Sequence, residues 1–466
     1  MIKPTFLFVS LFFLTAIGVN AQFNAENISL HSIWKDSSLT HSSNLEANYN
    51  SVWGYYDAVK NKEYAILGGK DGTYFVDVTS PSNPVLCDYV PGRRNNCTWR
   101  EYKNYGKYVY MISDDAPPNS FQIADMSYLP DSVHVIYDSD ALIKTAHTLY
   151  IDKNNLYCAS VVSFGGNHSS LSVYDLSNPE NPAFLRSLGQ DDNSFGSVHD
   201  MFVRNDTVYV SAGFDKFHVY NFLANNTFNK LGSITSYPDA GYNHSSWLAD
   251  DGKTLVFCDE VPENLAVKVL DVSDLSDIKV LSFFKSNEGA TAHNPYIIGN
   301  KVVISYYEDG VQIYDLSNPE SPVRSGFFDT HPQNGNIYNP MNPYNGCWGA
   351  YPYLPSGILL ASDRQNGLFV LNADFALNTP EVRKNVDVKI SPNPFVNNIN
   401  IQLPVNRGNY NLSVFDLTGR TIYYKNINLQ GSNNFDISFE KEIPAGVYFL
   451  KIYGEDIEQT EKIVKY

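Results

Sequence analysis

The chain has 466 residues, room for two to four domains or for one large domain with an appendage. It carries 33 basic against 50 acidic residues, a net charge of −17, which excludes nucleic acid and anionic membrane surfaces as expected partners, because clustered cations hold both. Hydrophobic residues at 43% exclude bulk disorder, and the surplus of Tyr (33) and Phe (27) over Met (5), with 29 Gly and 24 Pro, points to strands and turns rather than helices.

The first element in chain order is an address. Lys3 precedes an apolar run from Thr5 to Val19, and Val19-Asn20-Ala21 supplies small residues for cleavage. Residues 1–21 are expected to be a secretory signal peptide. The run is short for a membrane span, and no later segment is long and apolar enough for one. Export permits disulfides without requiring them. Among the five cysteines, Cys87 and Cys97 form the only local candidate pair.

A repeat fills residues 22–374. Tyr74-Phe-Val-Asp-Val-Thr-Ser-Pro-Ser-Asn-Pro84, Val173-Tyr-Asp-Leu-Ser-Asn-Pro-Glu-Asn-Pro182 and Ile313-Tyr-Asp-Leu-Ser-Asn-Pro-Glu-Ser-Pro322 match closely, and weaker copies lie between them. The anchors are Asp77, Asp125, Asp175, Asn221, Asp271, Asp315 and Asn372, spaced by about 49 residues on average. Each unit reads as four short strands, which is the sequence form of a β-propeller, and seven anchors predict seven blades. The anchor side chain can accept from the backbone two residues on, and the following Pro stops the strand. The seventh repeat lacks a fourth strand. Ile28–Trp34 resembles the fourth strands elsewhere and is expected to complete that sheet, removing a bare edge.

The repeats, together with Ser51-Val-Trp-Gly-Tyr55, Thr98-Trp-Arg-Glu101, Val198-His-Asp200, Asn243-His-Ser-Ser-Trp247 and Asp363-Arg364, resemble the LVIVD-repeat proteins of the choice-of-anchor B family. The resemblance covers about residues 28–374. It implies an exported propeller of unassigned biochemical function with an exchangeable C-terminal anchor.

Residues 375–384 read as linker. Residues 385–466 alternate with turn signals in the manner of a small β-sandwich. Their Ser391-Pro-Asn-Pro-Phe395 opening, Asp416-Leu-Thr-Gly-Arg420 turn and Ala445-Gly-Val-Tyr448 strand resemble the type A sorting domain of the type IX secretion system. That implies the type IX machinery as a partner and a secreted or outer-membrane-surface location. The acidity belongs to the propeller: residues 22–384 carry a net −17 and residues 385–466 a net −1.

A second register runs through the repeats. The first strand of each unit opens at Trp53, Trp99, His147, His199, His244, His293 or Trp348, which predicts one ring at one channel mouth. The returning second strands bring Asp114-Asp115, Asp259-Glu260, Glu308-Asp309 and Asp363-Arg364 to the same end, with Asp200 and Arg100 beside the ring. Trp53, Trp99, Arg100, Trp348, Asp363 and Arg364 are the candidate ligand-binding residues. His147, His199, His244, His293, Asp200, Asp259 and Glu260 are the candidate ligands for a divalent metal, Zn or Ca. The competing reading is architectural, with each His fastening a neighbouring hairpin carboxylate.

The expected function is an exported binding or adhesion propeller holding a glycan or protein ligand at this mouth. The alternative is a metal-dependent hydrolase built on the His cluster. No nucleophile elbow, H-E-x-x-H or phosphate loop supports catalysis, and no catalytic residue is assigned.

Overall fold

The structure is a computed structural model that describes residues 23–39, 47–332, 344–377, 388–403, 407–415, 421–431, 433–439, 443–454 and 458–466. The signal peptide, the expected linker beyond Leu377 and the Asp416–Arg420 turn lie outside the described residues.

The described residues between Ala25 and Asn372 form seven antiparallel sheets. Sheet one is Tyr49–Asp57, Lys62–Gly69, Gly72–Asp77 and Val85–Pro91. Sheets two to seven begin at Arg100–Tyr105, Leu149–Asp152, Asp200–Arg204, Asn243–Leu248, Pro295–Ile298 and Cys347–Tyr351. The inner strands touch in chain order from sheet one to sheet six, sheet six meets sheet seven through Lys301–Ser305, and sheet seven touches sheet one, so the array closes on itself. This is β-propeller topology.

The anchors act as their chemistry predicts. Asp77, Asp125, Asp175, Asp271, Asp315 and Asn372 each accept the N–H two residues on, at 2.8–3.0 Å. Asn221 departs, donating instead to the Asp206 carbonyl. These bonds end the third strand and, outside sheet seven, turn the chain toward the fourth.

A single bulge then recurs in every outer pair. The extra residue is Cys87, Ile136, Leu185, Leu231, Leu281, Ser325 or, in sheet seven, His31. A bulge adds twist at the edge of a sheet and discourages further pairing there. Its presence at His31 marks Ser29–Trp34 as a true fourth strand. That strand pairs antiparallel with Gly367–Asn372, as the sequence repeat predicts. Just before it, Ala25–Glu26 adds a short fifth strand to the edge of sheet six.

The core lies between neighbouring sheets. Leu171 and Val173 of sheet three pack with Met201, Val203, Val208 and Val210 of sheet four, all nearly or fully buried. Each such side chain contributes roughly 1.5–3 kcal/mol of burial free energy.

A second compact unit spans Pro380–Tyr466. Its described strands form a three-stranded and a four-stranded antiparallel sheet. Phe395, Ile399 and Ile401 share one core with Leu412, Val414 and Leu450.

All five cysteines are free, which corrects the Cys87–Cys97 expectation. Cys87 occupies an outer bulge, whereas Cys97 is buried with its thiol directed toward the Arg94 carbonyl and the Asn119 side chain.

Candidate functional site

At one end of the sheets, six of the seven predicted ring residues line a cavity of about 460 Å³: Trp99, His147, His199, His244, His293 and Trp348. Four of them are consecutive imidazoles. Their ring centres lie 4.1 Å apart from His147 to His199, 4.1 Å from His199 to His244, and 4.4 Å from His244 to His293. Trp348 continues the arc 4.7 Å beyond His293, and Trp99 begins it 6.5 Å before His147.

The backbone locks three of these imidazoles. His199 Nδ1 meets the His244 carbonyl at 2.8 Å, His244 Nδ1 meets the His293 carbonyl at 3.1 Å, and His293 Nδ1 meets the Trp348 carbonyl. A carbonyl only accepts, so each Nδ1 carries the proton and each Nε2 keeps its lone pair. Burial first, then the neighbouring imidazoles, hold His199 and His293 well below the ordinary histidine pKa. Burial also lowers His244, against the pull of Glu260 and Asp200. All three are therefore neutral at pH 7.

His147 differs. Its Nδ1 bonds the Asp114 carboxylate. Burial opposes charge on His147, but Asp114, with Glu101 and Asp200 behind it, outweighs burial and raises its pKa.

Glu260 lies on the wall beside the locked imidazoles. Its Oε2 is 3.7 Å from His244 Nε2, and its Oε1 accepts the Tyr307 hydroxyl at 2.6 Å. One ligand atom each from His244, Glu260 and His293 lies within 4.8 Å of the others. Two imidazole nitrogens and a carboxylate suit a borderline cation such as Zn²⁺ and disfavour Ca²⁺, which takes an all-oxygen shell.

The other predicted residues stand elsewhere. Trp53 is off the cavity: its Nε1 donates to Asn104 at 2.8 Å, and Lys103 Nζ sits 3.9 Å from its ring centre. The backbone shows why. Lys70, Glu260 and Arg364 donate to the carbonyls of Asn48, Tyr242 and Gly346, which puts Asn50, His244 and Trp348 at equivalent positions. The ring residue of sheet one is thus Asn50, and Trp53 falls three residues further along. At that further register every sheet places an aromatic: Trp53, Tyr102, Tyr150, Phe202, Trp247, Tyr296 and Tyr351.

Asp200 lines a smaller inner cavity of about 30 Å³ with Glu101 and Lys103, not the mouth. Burial raises both carboxyl pKa values there and lowers that of the amine. Asp259 is consumed by the fold. It meets the fully buried Lys268 at 2.9 Å and accepts from Tyr237, Gly241 and Asn243. Asp363 accepts from Thr330, Gln365 and Asn366, fixing its own hairpin. Arg100 donates to the Gly69 and Arg94 carbonyls. Their charges are spent on hairpins and loops, which the mere presence of an acid or base at a strand end does not reveal.

Arg364 does reach the cavity, with its guanidinium 5.0 Å from the Trp348 ring centre. Sequence reasoning missed Tyr307, Tyr242 and Phe214 on the wall. Tyr307 stands in sheet six where Glu260 and Arg364 stand in sheets five and seven, so a search of that position for any polar aromatic would have found it.

Residues 389–466 match the family model described as the secretion system C-terminal sorting domain. This domain directs type IX export to the secreted or outer-membrane surface. No curated protein matches the chain. The WD40 β-propeller domain of Doa1 is similar at 10% identity, covering 74% of this chain and 96% of its own, with a TM-score of 0.49. The periplasmic gluconolactonase of Pseudomonas aeruginosa is similar at 10% identity, covering 84% and 99%, also with a TM-score of 0.49.

Proposed function

We propose that this is an exported seven-bladed β-propeller, followed by a sorting β-sandwich, that binds a ligand in the His/Trp-lined mouth around a divalent metal. His244, His293 and Glu260 are the metal ligands, with His199 next in line. The observation that carries this reading is the lock on Nδ1: three backbone carbonyls fix the tautomer that leaves Nε2 available, as partners behind metal-binding histidines do. A purely architectural role accounts for the Nδ1 bonds. It leaves the Nε2 atoms beside an acidic cavity wall without a task.

The bound cation would supply Lewis acidity and a fixed positive charge. The chain's own residues set the tautomer, hold Glu260 through Tyr307 and enclose the cavity. The test is inductively coupled plasma mass spectrometry on the purified full chain. About one divalent transition-metal ion per chain is expected. The His244→Ala/His293→Ala variant should lose it with an unchanged circular dichroism spectrum. Metal-free wild-type protein after incubation with zinc would overturn the reading.

A further inference from the structure

Arg364 is fully buried, yet only part of its guanidinium is used. Nη1 donates to the Tyr344 carbonyl at 2.7 Å, whereas Nε and Nη2 have no hydrogen-bond partner among the described residues. The adjacent Asp363 is already bound by Thr330 and by the backbone of Gln365 and Asn366. Trp348 covers the guanidinium face, and the Nε–Nη2 edge is itself closed to solvent, so a ligand reaches it only by parting the wall of the mouth. Nε and Nη2 form one fork, whose spacing matches the two oxygens of a carboxylate.

Elsewhere on the wall, Trp99 and Phe214 keep 37% and 66% of their surfaces exposed. Flat exposed aromatics suit stacking against the C–H face of a ring. The imidazole Nε2 lone pairs accept hydrogen bonds, and hydroxyls supply the donors. The volume falls within the roughly 300–1,000 Å³ usual for small-molecule sites.

We propose that the mouth binds a carboxylate-bearing saccharide, its carboxylate in the fork of Arg364 Nε and Nη2 and its ring stacked on Trp99 or Phe214. The inference rests on the mouth being a ligand site and needs no bound metal.

The experiment is isothermal titration calorimetry of the full chain with digalacturonate, with neutral galactobiose and with galactose 6-phosphate. Digalacturonate is expected to bind at least tenfold more tightly than galactobiose, and Arg364→Gln should erase that preference. Equal affinity for the two, no binding of the acid, or an unchanged preference in Arg364→Gln overturns the proposal. A stronger response to galactose 6-phosphate overturns the carboxylate assignment in favour of phosphate. Should Arg364→Gln fail to fold, the wild-type comparison decides, with Trp99→Ala expected to weaken both disaccharides. Repeating the titration in EDTA separates the two readings. An acid preference that persists in a protein found to hold no metal supports this proposal and refutes the metal centre. Metal bound without any acid preference refutes this proposal alone.

Discussion

Single side chains in this molecule take their roles from what their neighbours leave unused. His199, His244 and His293 are neutral because they are buried, and they keep a free Nε2 lone pair because a carbonyl holds each Nδ1 proton, while His147 tends to charge because a carboxylate sits behind it. Asp329 illustrates the opposite situation. Burial is the main cause that pushes its pKa up to about 6, only partly offset by the bond from the His331 N–H. The folded state thus keeps a proton that the unfolded chain releases near 3.8. Relative to the unfolded chain, the stability this proton contributes is complete below about pH 4 and is lost as pH rises through 6. Asp329→Asn removes the ionisation and keeps an oxygen for His331. The variant should be more stable than wild type by about 1–2 kcal/mol at pH 7.5, after allowance for solvent screening, and no more stable at pH 4. Urea unfolding at the two pH values checks this.

At the scale of elements, the N-terminal strands act as a clasp. Ser29–Trp34 closes sheet seven, Ala25–Glu26 edges sheet six, and Trp34 packs on Tyr74 of sheet one with ring centres 5.1 Å apart. Gly326 lets this passage approach closely: a Cβ there would lie 2.8 Å from the Glu26 carbonyl oxygen. Deleting residues 23–34 bares Gly367–Asn372 and opens the ring. The shortened protein should aggregate, or melt well below wild type, in light scattering and calorimetry; a monomer with unchanged melting would contradict the clasp. Most of this element was legible beforehand, because a missing fourth strand in the last repeat and an unassigned strand before the first are complementary. The bulge at His31 was not legible, since a bulge leaves the hydrophobic alternation nearly intact on either side.

For the whole molecule, propeller and sorting unit divide the work. Each has its own sheets and core. Removing residues 385–466 should leave the propeller's melting transition in place and abolish arrival at the cell surface, measured by fractionation and immunoblotting. Surface display of the truncated protein would contradict the division.

The sequence by itself determined the repeat, the Asp/Asn anchors, the closing strand, the sorting domain and six of the seven mouth residues. These depend on local periods and on side chains acting within a few positions of themselves, which order along the chain preserves. Only the tertiary structure decided that Trp53 belongs three residues beyond the mouth and that Asn50 takes its place. An offset counted to Asp77 runs through hairpins whose lengths differ from sheet to sheet, so it cannot fix the register, whereas the bond from the Lys70 N–H to the Asn48 carbonyl does. Only the tertiary structure, too, separated Glu260 and Arg364, which face the cavity, from Asp259 and Asp363, which are bonded inside the fold. Adjacent residues on a strand point to opposite faces, and which face meets a cavity is settled by packing against the neighbouring sheet.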